Sequence, residues 1–123
     1  MVITGSNFID NDMGWIRANL PGYEPSVEIR DVTEDYACIG MWGPRARDVL
    51  QTVTEDDVSN AAFPFMTART IISNGVSVLA QQVSYVGELC SEFYPPGDKA
   101  MIVWDKLWDV GQKFGRPGHQ LPP

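Results

Sequence analysis

Tyr85 and Glu92 are the residues of this chain whose types and spacing could do chemistry. They lie seven residues apart in the stretch VSYVGELCSEFY, Val83 to Tyr94, on either side of a Gly-Glu bend. A carboxylate accepts two parallel N–H bonds, so it suits a ring N–H beside an exocyclic amine as it suits a guanidinium. A tyrosine close by can pack against a flat ring and give its hydroxyl to one of the ring's acceptors. The residue types leave a plainer reading open. A tyrosine at a strand end is commonly an amphipathic edge residue, and a strand glutamate is commonly a solvated one.

Other chemistry is sparse. Two cysteines, Cys38 and Cys90, are too few for a zinc site and show no CxxC spacing. Cys38 sits in an apolar run and reads as a small buried hydrophobe. His119 is the only histidine and falls in a Gly/Pro-rich tail, which argues against a His-dependent triad or a metal cluster. No residue is singled out as catalytic or metal-ligating. Asp56-Asp57 reads as a helix-start charge pair favoured by the dipole rather than a dyad. Arg45 and Arg47 could mark an anion site, but pairing with acids such as Asp31 or Glu34 is the simpler expectation. Sixteen acidic against nine basic residues give a formal charge of −7, which argues against binding a phosphate backbone. No run approaches the ~20 apolar residues that cross a bilayer, and the first residues do not form a basic, apolar leader. The expected compartment is the cytoplasm, or the mitochondrial matrix if the source is eukaryotic.

The elements that must position these residues can be traced from patterning. Met13, Ile16 and Leu20 mark one face of a helix capped by Asp10 or Asn11 and ended by Pro21-Gly22. Val27, Ile29 and Val32 alternate as in a strand, and Ala37 to Trp42 forms a second strand, apolar on both faces and so expected to be central. Gly43-Pro44 starts a helix with proline in its first position and Ala46, Val49, Leu50 and Val53 as its buried stripe. Thr54, three residues before Asp57, looks like the cap of a short turn, and Phe63, Phe65 and Met66 plug one end of the core. Strands Thr67–Ile72 and Val76–Val86 join through Asn74-Gly75, a strong hairpin signal, and Glu92–Tyr94 adds a short strand. Val103, Leu107, Val110 and Phe114, broadened by Trp104 and Trp108, form the stripe of a last helix ended by Gly115 and Pro117. The expected class is α+β, an antiparallel sheet with helices packed on one side.

The Tyr85–Glu92 stretch, together with VITGSNFIDNDMGWI, DVTEDYACIGMWGPRARDVL, TEDDVSNAAFPFMTAR and WDKLWDVGQKFG, resembles the glycine-cleavage T-protein (aminomethyltransferase) folate-binding family. MWGPRARDVL and DDVSNAAFPF are most similar to the tetrahydrofolate-binding domain of dimethylglycine and sarcosine dehydrogenases and oxidases. The likeness runs over residues 1–115, read as a partial, central portion of that fold, followed by the tail 116–123. The resemblance implies that Tyr85 and Glu92 contact the pterin of tetrahydrofolate. It makes Thr4 a weaker third folate-binding candidate and Glu88 a bend or surface residue. In such proteins a tetrahydrofolate nitrogen attacks an imine or aminomethyl group to give methylenetetrahydrofolate.

The resemblance also implies what to expect elsewhere. The family's acid–base aspartate lies upstream of the segment matching VITGSN, and its site arginine and capping β domain lie downstream. FAD belongs to a parent or partner, a flavin-dependent amine dehydrogenase half. This chain is therefore expected to bind tetrahydrofolate without transferring a carbon unit alone, and to need that half or the rest of the domain as partner. The alternative is a regulatory or interaction module that keeps the fold without folate chemistry, and a degenerate copy ranks third. Uncovered sheet edges would also favour self-association. One departure stands out, because relatives carry Gly then Trp or Phe where this chain has Cys90-Ser91. A cysteine forced to positive φ costs ~1–2 kcal/mol, and a lost buried aromatic costs ~3–5 kcal/mol.

Overall fold

Asn74 and Gly75 reverse the chain, with φ of 49° and 77°, the two left-handed residues that a type I′ hairpin turn needs. In this computed structural model, which describes residues 1–20, 27–84 and 90–115, the turn joins β2 (Ala68–Ser73) to β3 (Val76–Gln81). The pair runs in register from Ser73 opposite Val76 to Ala68 opposite Gln81. β4 (Cys90–Tyr94) adds to β3, and β1 (Ile39–Trp42) adds to β4, giving an antiparallel sheet in the order β1-β4-β3-β2.

Two helices cover one face of that sheet. α2 (Ala46–Val53) buries Ala46, Val49, Leu50 and Val53, the four residues its period selects. α3 (Ala100–Lys113) buries Val103, Leu107 and Val110, and Gly115 ends it in the left-handed conformation at φ 71°. These stripes meet Ile39, Ile71, Val76, Val78, Ala80 and Phe93 from alternate strand positions, with Val58 and Phe63 closing the cluster. The architecture is the α+β layer that the patterning predicts.

Several local expectations fail for physical reasons. Residues 27–32 form no strand, because alternation alone supplies no neighbour to pair with. β1 lies at an edge of the sheet rather than at its centre. Its even positions face away from the helices, and Gly40 and Trp42 there are exposed. The second helix begins at Ala46, after a turn in which Gly43 adopts φ 116° and accepts the Ala46 N–H. Phe63 is fully buried, but Phe65 and Met66 are exposed, as Met66 takes φ 62° and turns the chain outward. Trp104 and Trp108 are 43% and 42% exposed, stacking on each other at 5.7 Å rather than entering the core. The part of the β3 expectation beyond Ser84 and the tail from residue 116 fall outside the described residues.

The chain divides into two compact units, Met1–Asp31 and Val32–Pro123, the sheet and both covering helices belonging to the second. In the first, a 3-10 turn at Ser6–Phe8 leads into α1 (Ile9–Asn19). Met13 and Ile16 are half-buried, as is Leu20 just after the helix. The cap position is Phe8, without a side-chain cap, and Asp10 and Asp12 instead favour the first turn through the helix dipole. Among the described residues no helix is long and apolar enough to cross a membrane.

Candidate functional site

The period of two in β4 decides where Glu92 points. Ser91 and Phe93 face the helices, so Glu92 stands on the opposite face with Cys90 and Tyr94 before and after it. Register places Gly40 of β1 directly across from Glu92 on one side and Gln81 of β3 on the other. Trp42 pairs with Cys90, and Leu79 pairs with Tyr94. Glu92 is thus the centre of the sheet's outer face, half-buried, with a glycine directly across on one side and a glutamine on the other.

One oxygen of that carboxylate is already held. The Tyr94 hydroxyl donates to Glu92 Oε2 at 2.5 Å, a charge-assisted bond that fixes the rotamer. Tyr94 is 7% exposed. Burial first, and then its bond to Glu92 and its contact with Cys38, push the phenol well above its ordinary range, so it stays a neutral donor. Among the described residues Glu92 makes no other hydrogen bond, leaving Oε1 as a free acceptor. Cys38, expected to be buried, is exposed, since it falls on the same outer side as Gly40 and Trp42. Desolvation of its sulfur raises the thiol, the Tyr94 hydrogen bond lowers it, and the Glu92 charge raises it again. The buried Cys90 thiol is also raised, mainly by desolvation and then by Glu92. Neither thiol is poised as a nucleophile.

On the helix side the Cys90-Ser91 departure is accommodated. Outside glycine, only Met66 and Asn74 among the described residues adopt positive φ, so Cys90 carries none of the expected left-handed strain. Gln82, 2% exposed, donates to the Cys90 carbonyl at 2.7 Å and accepts from Ser91 Oγ at 3.0 Å. A polar clamp stands where the resemblance implies an aromatic, and it secures the start of β4 just before Glu92.

The remaining candidates separate from this surface. Tyr85 and Glu88 lie outside the described residues. Thr4 belongs to the first unit, where its hydroxyl donates to Asp12. Asp56 and Asp57 hold a loop against β2 rather than starting a helix. Asp56 Oδ2 accepts the Ile72 N–H at 2.8 Å and the Thr54 hydroxyl at 3.1 Å, and Oδ1 lies 3.4 Å from Arg69. The Ile72 bond is the main cause of a lowered Asp56 pKa, and the Ser59 backbone bond does the same for Asp57. Arg45 pairs with an acid, Asp48, at 2.5 Å and lies over the Phe114 ring. Arg47 donates to the carbonyls of Val58 and Phe63. Sequence reasoning missed Tyr94, Gly40 and Trp42. The signal was the i, i+2 spacing of Glu92 with Tyr94 and of Cys38, Gly40 and Trp42, which puts each set on one side of its strand.

Known proteins share this framework. A heterotetrameric sarcosine oxidase from Corynebacterium sp. U-96 superposes with a TM-score of 0.68 at 20% identity, over 94% of this chain and 55% of that one. Human mitochondrial dimethylglycine dehydrogenase is 34% identical over 117 residues, 94% of this chain. An aminomethyltransferase of Alkaliphilus oremlandii is 31% identical over 115 residues. The chain spans 13% of the length of the first of these two relatives and 30% of the second. The sequence profile described as the GCVT N-terminal domain matches residues 1–118, nearly the whole chain, and so the chain belongs to that family.

Proposed function

We propose that this chain is the tetrahydrofolate-binding portion of a one-carbon-transfer protein of the dimethylglycine/sarcosine dehydrogenase and aminomethyltransferase kind. The observation that carries this is Glu92. It stands at the centre of the outer sheet face, with Oε2 fixed by Tyr94 and Oε1 unbonded among the described residues. A reduced pterin presents a ring N–H next to an amine, and a carboxylate held in one orientation binds that fork with little ordering cost. The net charge of −7 gives no help with an anionic polyglutamate tail, so the pterin end is the part recognised.

The chain positions tetrahydrofolate and leaves the transfer to groups elsewhere. Glu92 is taken up in accepting from the ligand, Tyr94 is locked as a donor, and both nearby thiols are raised, so among the described residues of this face no second base stands beside Glu92. A flavin-dependent amine dehydrogenase half supplies the carbon unit as an imine or aminomethyl adduct. Calorimetry with tetrahydrofolate tests the binding. Saturable binding that weakens at least tenfold in Glu92→Gln is expected. A folded chain that binds no folate would overturn the proposal and turn the search to protein partners. Methylenetetrahydrofolate formed by the chain alone from an aminomethyl donor would refute the division of labour.

A further inference from the structure

Trp42 is 63% exposed on the same face as Glu92. Its indole does not stand straight off the strand but leans back across Gly40. Cζ3 and Cε3 of the ring lie 3.0 and 3.5 Å from where a Cβ at residue 40 would be. Gly40 is the cross-strand neighbour of Glu92. The missing side chain therefore leaves room for the six-membered ring of the indole over residue 40, the position across from Glu92, while most of Trp42 stays exposed.

We infer that Trp42 is the stacking surface of this site, packing its indole on the flat ring whose donor fork Glu92 accepts. The inference rests on the folate reading above and adds the residue that reads the ring's face. A carboxylate alone does not distinguish a pterin from any guanidinium-like group. An indole fixed alongside it selects a planar ring, because only a planar partner meets both the free oxygen and the exposed π face. Gly40 then acts as a positioning residue that never touches ligand. A Cβ there displaces only the far end of a flexible side chain, so the fold survives while the ring moves.

The test is binding of tetrahydrofolate and of 6-methyltetrahydropterin, the ring without its tail, by the whole chain under anaerobic conditions. Trp42→Ala, Trp42→Leu, Trp42→Phe, Gly40→Ala and Glu92→Gln are compared, each with its urea midpoint. Loss of a ring–aromatic stack is expected to weaken both ligands about tenfold in Trp42→Ala and Trp42→Leu. Trp42→Phe should stay within about threefold of wild type, and Gly40→Ala should lose affinity without losing stability. Wild-type affinity in Trp42→Ala, beside a clear loss in Glu92→Gln, would overturn the role of Trp42 while leaving the folate reading intact. So would a Trp42 effect on tetrahydrofolate that is absent with 6-methyltetrahydropterin. No binding of either ligand by the wild type would remove the folate reading and this inference together.

Discussion

Replacing Ser91 by alanine tests whether the start of β4 is held as described. Ser91 and Gln82 are each 2% exposed, and the Ser91 hydroxyl reaches Gln82 Oε1 at 3.0 Å. The substitution removes a single oxygen, so the cavity left is small, and the main loss is a buried amide oxygen without its donor. That penalty is ~1–3 kcal/mol. Urea unfolding of a chain this size has a slope of ~1–3 kcal/mol per molar, so the midpoint should fall by roughly 1 M. Gln82→Met should cost more, because it also orphans the Cys90 carbonyl that Nε2 holds at 2.7 Å. In the Gln82→Met background, Ser91→Ala should then cost less than ~0.5 kcal/mol, a coupling of ~1–2 kcal/mol in the double-mutant cycle. Equal costs in both backgrounds would refute the clamp and return Cys90-Ser91 to the status of an uncompensated break.

Asp56 and Asp57 have lowered pKa values, so their stabilisation is present above the ordinary carboxylate range and is lost as pH falls through their folded values. Acid unfolding followed by tryptophan fluorescence should therefore be shallower in Asp56→Asn, with lower stability at neutral pH. Tyr94 moves the other way, and a raised folded pKa withdraws stability as pH rises above ~10, its ordinary value. Absorbance at about 295 nm should show no contribution from Tyr94 until the fold opens, and Tyr94→Phe should extend stability to higher pH; a normal titration of Tyr94 in the folded chain would contradict its burial. At the hairpin, Asn74→Val should cost ~1–2 kcal/mol for a branched residue held at positive φ. Asn74→Gly should be close to neutral by thermal melt.

The helices were legible because their information is local. Val49, Leu50 and Val53, and Val103, Leu107 and Val110, announce their buried faces by period, and Asn74-Gly75 announces its turn by type. Partnering was not legible. Nothing in residues 27–32 says that no strand lies beside them, and nothing in Ile39–Trp42 says that it pairs on one side only. Glu92 was found through family likeness, but its orientation depends on Tyr94, and its neighbourhood on Gly40 and Trp42 some fifty residues earlier. Register between distant strands is a tertiary property, and a one-residue slip would have put all of these on the other face. The same limit hid the compensation at Cys90-Ser91, since Gln82 reveals itself as a partner only when β3 and β4 lie side by side.

The bond from Ile72 N–H to Asp56 bears on how this sheet can grow. β2 is an outer strand, and such strands recruit others through their unpaired backbone groups. Here the loop before it takes the outward N–H of Ile72 with a carboxylate and bridges Ser73 through Thr54. Negative charge and a folded-over loop make that margin a poor template for a further strand, an intramolecular guard against aggregation. Among the described residues of the second unit, the opposite margin, along β1, has no such guard. Within this unit, β1, the strand that carries Gly40 and Trp42, is therefore the margin better suited to accept a further strand.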